Sequence, residues 1–200
     1  MFIETPVTLI LLLVNGLVGA YTLFVDPSLV GRLAFRPYAF LRQREWWRAL
    51  TAGFVHAGMG HLAVNLLTLY FFGPYVEQLL GPAGFLAVYF GSELAANLAT
   101  LLRHRENPGY SAVGASGAIS GVLFSFCLFA PLQLLYLFFA IPIPALLFAV
   151  LYVGYSVYAA RQQADRIAHE AHLGGAIGGV LITLLVRPDA LGIFLRQLGL

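Results

Sequence analysis

Six stretches of about 20 mostly apolar residues, roughly 5–25, 57–79, 83–103, 115–136, 141–160 and 170–187, leave this chain few ways to fold in water. Each is long enough to cross the hydrocarbon core of a bilayer, about 30 Å thick, and together they take up most of the sequence. Hydrophobic residues make up 60% of the chain and charged ones 10%, with mean hydropathy +0.84, so there is no polar surface to wrap a soluble core. The expected fold is an all-α, polytopic membrane protein: a six-transmembrane-helix bundle forming a single domain over 1–200, with an interfacial loop at 26–55.

Met1-Phe2-Ile3-Glu4 lacks the basic n-region of a cleaved signal peptide, so the first stretch is expected to be a retained helix. Cys127, the sole cysteine, falls inside the fourth stretch; an intramolecular disulfide is excluded. A formal charge of +2, spread over loops, does not suit nucleic acid. The loop at 26–55 mixes Leu33, Phe35, Phe40, Trp46 and Trp47 with five arginines, a composition that suits the headgroup level of a membrane. No internal repeat is found, against the inverted-repeat plan of many transporters.

All eleven basic residues are arginines. Arg32, Arg36, Arg42, Arg44 and Arg48 follow the first stretch, Arg103 and Arg105 the third, and Arg161 and Arg166 the fifth. By the positive-inside rule alone these loops are cytoplasmic and the N-terminus lies outside.

Successive spans alternate direction, so the second, fourth and sixth enter the membrane from one side. His56, His61 and Asn65 precede or open the second, Ser116 opens the fourth, and His172 opens the sixth; all five belong to one leaflet. Intramembrane polar groups are expensive and face the bundle interior, where they mark functional sites. A serine and a histidine at matched depth are the parts of a nucleophile and its base. His61 and Asn65 are i and i+4, on one helical face. A helix N-terminus at Ser116 offers unpartnered N–H groups, and with an Asn amide and a His ring these would form an oxyanion hole. Gly117/Gly121, Gly174/Gly178 and Gly175/Gly179 are small-xxx-small pairs that let helices approach closely, or that simply pack them.

Other signatures fail. Gly114-Ala115-Ser116-Gly117-Ala118 misses the Gly-x-Ser-x-Gly elbow at its last position. His169 and His172 are i and i+3, not the i and i+4 of a His-Glu-x-x-His zinc pair, so no metal and no cofactor is expected. Glu170, two residues from His172, points elsewhere on a helix, which leaves a dyad rather than a triad. Glu93, with Asn97 at i+4, is either a carboxyl hydrogen-bonded within the bundle or a proton or ion relay. Glu77 reads as an interfacial or capping charge.

Trp47-Arg48, His56-Ala57-Gly58-Met59-Gly60-His61-Leu62-Ala63-Val64-Asn65, Gly114-Ala115-Ser116-Gly117 and Ala171-His172-Leu173-Gly174-Gly175, in this order, resemble the rhomboid family of intramembrane serine proteases. The resemblance covers nearly the whole chain. It implies a rhomboid-like bundle in which Ser116 is the nucleophile, His172 the general base and then acid, and His61, Asn65 and the Ser116 N–H the oxyanion hole. His56, Trp47, Arg48, Gly114, Gly117, Gly175 and Gly179 would support them, with Trp47 and Arg48 holding the first loop in the outer leaflet. It implies single-span membrane-protein substrates cut near the membrane boundary, lateral entry beside the fifth span, and a loop around 161–170 capping a cavity that opens to the extracytoplasmic side. A cytoplasmic N-terminus is also implied, the reverse of the arginine reading, as is a multi-pass protein of a prokaryotic plasma membrane. Many members carry an aromatic residue four positions after the nucleophile, stacked on the catalytic histidine; here that position is Ser120. Two other functions are weighed: an inactive relative that binds transmembrane helices, and a transporter built around Glu93.

Overall fold

A computed structural model describes residues 3–137, 140–162 and 168–200, with side chains of 161 and 162 left aside. Helix α1 (Pro6–Phe24) opens on a proline, which lacks only an N–H that a first turn cannot use. Short helices α2 (Ser28–Leu33), α3 (Pro37–Arg42) and α4 (Arg48–Thr51) and a 3-10 turn (Ala52–Phe54) make up the first connection. Helix α5 (Met59–His104) has two arms on either side of Gly81, whose φ of 71° only glycine adopts readily. Then come α6 (Ser116–Phe129), a hairpin of β1 (Leu134–Leu137) and β2 (Ile141–Pro144), α7 (Ala145–Gln162), α8 (His169–Val186) and α9 (Ala190–Gln197).

Among the described residues, three helices are both long and apolar enough to cross a membrane, α1, α5 and α8, while α6 and Ala145–Ala160 of α7 are shorter apolar helices. The expected fourth span ends at Phe129 instead of 136, and the fifth starts at Ala145 instead of 141. Between them the all-α expectation is corrected by the hairpin, which pairs Leu134 with Pro144 and Leu137 with Ile141. Pro142 and Pro144 have no N–H for a helix and disfavour the helical region in the residue before each, so an apolar stretch ends up extended.

The packing is that of a protein in lipid. Thr8, Asn15, Thr22, Ser125 and Thr183 are buried, whereas Leu13, Leu17, Leu98, Leu181 and Leu185 face outward. In water this arrangement would be costly. In hydrocarbon it is favourable, because polar groups must find partners inside the bundle. Asn15 Nδ2 donates to Leu11 O at 2.8 Å and to Tyr89 Oη at 3.1 Å. Glu77 accepts from the Val7 and Thr8 N–H groups at 3.0 and 2.7 Å and from Thr8 Oγ1 at 2.7 Å, capping α1 from another helix.

Helix α6 is the hub, buried almost throughout from Gly117 to Cys127. Its contact with α8 is glycine against glycine: a Cβ on Gly175 would lie 2.1 Å from Gly117 O, and one on Gly179 2.3 Å from Gly121 Cα. The other glycine ridge of α8 meets α5, where a Cβ on Gly174 would lie 2.8 Å from Ala95 O and one on Gly178 2.5 Å from Ala95 Cβ. Two ridges on one helix therefore seat α8 against both neighbours.

Candidate active site

Ser116 is the first residue of α6, and His172 lies in the first turn of α8. The Gly117–Gly175 crossing, one residue beyond Ser116 and three beyond His172, brings the two helix starts together. His172 Nε2 lies 2.8 Å from Ser116 Oγ, a hydrogen-bonding distance. Both residues are half-buried.

Gly114, at φ 111°, turns the chain into α6, and a Cβ there would lie 2.3 Å from Cε1 of His61. Glycine is needed twice over, and the His61 ring is thereby set against the turn that carries Ser116. Asn65, one helical turn later, is 4% exposed, and its Nδ2 has no hydrogen-bond partner among the described residues. His56 is fully buried, edge-to-face with His61 at 5.2 Å between centroids. Burial, with the neighbouring His61, pushes His56 down to about 4, so its ring is neutral at pH 7.

The first connection is bound to the site. Phe35 and Ala112 exchange two backbone hydrogen bonds of 2.9 Å, and Gly114 N–H donates to Ala52 O at 2.9 Å. Arg48 is 7% exposed: it pairs with Glu45 and donates to Ala34 O at 2.8 Å. Its guanidinium thus ties the first connection together from within, through Glu45, Gly31 O and Ala34 O. Trp47 is outward-facing, at 53% exposure. The cap expected around 161–170 lies largely outside the described residues.

Behind Ser116, Glu93 accepts from the Ala118 N–H at 3.3 Å and from Asn97 Nδ2 at 3.2 Å, while Asn97 also donates to Ala49 O at 2.8 Å. A carboxyl at a helix start meets an N–H with no intrahelical partner. A cavity of about 30 Å³ beside it is lined by Glu93, Asn97, Gly114 and Ser116, enough for a water molecule. Glu170, from the rejected zinc pattern, accepts from Tyr110 Oη at 2.9 Å and meets His104 Nε2 at 3.1 Å, with the His104 and Tyr110 rings stacked at 3.6 Å. Burial, and the Glu170 carboxylate, raise the Tyr110 phenol.

Sequence reasoning missed one neighbour of His172. Tyr152 of α7 lies over the imidazole, with centroids 6.4 Å apart and planes 26° apart, and its hydroxyl is 2.7 Å from Ser120 Oγ. A tyrosine in an apolar span carries no spacing signal that would tie it to a residue on another helix.

A helical bundle with polar groups inside and apolar side chains outside, closed around a Ser–His pair, defines an integral membrane protein with the parts of a hydrolytic site. A family model for rhomboids, described as "Rhomboid domain", matches residues 43–189. The chain belongs to the rhomboid family. It is 30% identical over 153 residues to "RHOMBOID-like protein 12, mitochondrial" of Arabidopsis thaliana, covering 69% of this chain and 46% of that protein. It is 29% identical over 160 residues to "Rhomboid protease GluP" of Bacillus subtilis, covering 80% and 30% respectively. "Inactive RHOMBOID-like protein 8" of Arabidopsis thaliana is 36% identical over 87 residues, covering 44% of this chain and 25% of that one. The chain thus spans less than half the length of each of these relatives, and the family holds both proteases and inactive members.

Proposed function

We propose that the chain is an intramembrane serine endopeptidase that cuts transmembrane segments of single-span substrates with a Ser116–His172 dyad. The observation that carries this is the 2.8 Å separation of His172 Nε2 and Ser116 Oγ at the crossing of two glycine ridges. His172 Nε2 takes the Ser116 proton as Oγ attacks the scissile carbonyl, then gives it to the leaving amine; water, activated by the same nitrogen, releases the acyl group. The Ser116 N–H, the His61 ring and the unpartnered Asn65 amide supply donors for the oxyanion. His56, Trp47, Arg48, Gly114, Gly117, Gly175 and Gly179 support the pair.

Residues 1–200 act as one domain with six crossings, the two arms of α5 counting separately. Helix α6, with 14 residues, rises about 21 Å against a hydrocarbon core of about 30 Å, which allows Ser116 to lie below the membrane surface. The site opens to the extracytoplasmic side of a prokaryotic plasma membrane, in keeping with the likeness to the Bacillus subtilis protease.

The test is cleavage of a model single-span substrate by detergent-purified protein. Ser116→Ala and His172→Ala are each expected to lose at least about 10³-fold in rate. Equal cleavage by the serine variant would sink the proposal. An inactive, helix-binding role has precedent in the inactive plant relative, and predicts no cleavage by the wild type either. The transporter reading is weakened by Glu93, whose carboxyl already holds the α6 start and Asn97.

A further inference from the structure

Two histidines stand in the first turn of α8, and Glu170 beside them is engaged by Tyr110 and His104. An imidazole that must present Nε2 to Ser116 Oγ within a few tenths of an ångström needs its ring plane held. Helix α7 supplies aromatic surface on this side. The Tyr152 ring covers His172 in an offset, near-parallel arrangement, inside the 4.5–7 Å range over which aromatic pairs attract. Three residues on, Tyr155 meets His169 edge-on at 5.4 Å, and His169 meets His172 edge-on at 6.2 Å. The two tyrosines, one turn apart on one face, thus cover the two histidines.

Tyr152 is itself fixed. Phe124 of α6 and Phe148 of α7 pack on its ring at 5.5 and 5.8 Å, and its hydroxyl meets Ser120 Oγ at 2.7 Å. Ser120 lies four residues after Ser116, on the same face of α6. The helix that presents the nucleophile therefore grips, one turn further along, the ring that covers the base. Much of the rest of α7 faces outward, with Val150, Leu151 and Tyr158 between 55% and 61% exposed.

We propose that Tyr152 is a positioning residue: tied to Ser120, its ring holds the His172 imidazole in the plane from which Nε2 reaches Ser116. The proposal rests on the reading of Ser116 and His172 as nucleophile and base. It has a consequence for the bundle. The brace stands on a different helix from both reacting groups, so the seating of α7 against α6 and the alignment of the base are a single event.

The test uses the full chain in detergent, with two readouts: the rate of covalent labelling of Ser116 by a fluorophosphonate, and kcat and KM on a single-span substrate. Tyr152→Leu, which removes the ring, is expected to slow labelling and kcat by about 10- to 100-fold with KM within about twofold of wild type. Tyr152→Phe keeps the ring and is expected to restore most of the rate. Ser120→Ala should match Tyr152→Phe, and the double variant should be no slower than either, since both remove one bond. Val150→Ala, on the outward face of the same helix, should behave as wild type. Unchanged labelling in Tyr152→Leu overturns the proposal, as does a loss that appears in KM alone or equally in Val150→Ala. Should Tyr152→Leu not fold, additive losses in the Ser120→Ala/Tyr152→Phe cycle overturn it instead. A wild type that neither labels nor cleaves is a different result: it removes the protease reading itself.

Discussion

Asn65 carries a buried amide whose Nδ2 donates to no group among the described residues. A buried donor without an acceptor costs about 1–3 kcal/mol, so at rest the amide does not contribute to stability. On the proposed reading its acceptor is an oxyanion that exists only during the reaction, when the donor is worth most. Asn65→Ala is therefore expected to lower kcat by about 10²–10³-fold while the thermal midpoint stays level or rises, as read by cleavage assays and unfolding in the same detergent. Loss of both together would mean that the amide is structural. Arg48 makes the opposite case: its charge is answered by Glu45 and its Nη1 by the carbonyls of Gly31 and Ala34.

Helix α8 is held against α6 and α5 by close backbone approach at its glycines. A Cβ on Gly175 would meet the carbonyl group of Gly117 at 2.1 Å, and backbone cannot swing aside as a flexible side chain would. Gly175→Ala is expected to cost at least about 1–3 kcal/mol, measured by thermal or denaturant unfolding, and to reduce cleavage further by separating the starts of α6 and α8. Gly154, on α7, has open space where a Cβ would go, and Gly154→Ala serves as the tolerated control. Cross-helix polar contacts add to the glycine seams. Thr183 Oγ1 donates to Ser125 Oγ at 2.8 Å between α8 and α6, and Glu77 closes the start of α1.

On the proposed reading of six crossings, both termini lie on one side of the membrane and the proposed site faces away from the cytoplasm. Two of the loop arginines behind the opposite reading are engaged within the protein. Arg48 is neutralised by Glu45, and Arg103 gives Nη2 to Ala160 O at 2.5 Å. A fluorescent reporter fused after Leu200 is expected to mature in the cytoplasm; an alkaline phosphatase fusion active at that position would reverse the topology. The membrane class, the glycine ridges and the residues that meet at the site were legible in the linear order of residues, because apolar run length and helical spacing are local properties. The extent of α6, the hairpin after it, which helix Glu77 caps, the inward turn of Arg48 and the ring of Tyr152 over His172 were not. Each depends on how a helix is rotated about its axis and what it meets across 14 to 69 residues of chain. Lipid is as apolar as the bundle interior, so hydrophobicity names the helices that enter the membrane but not the face each turns inward; packing alone decides that.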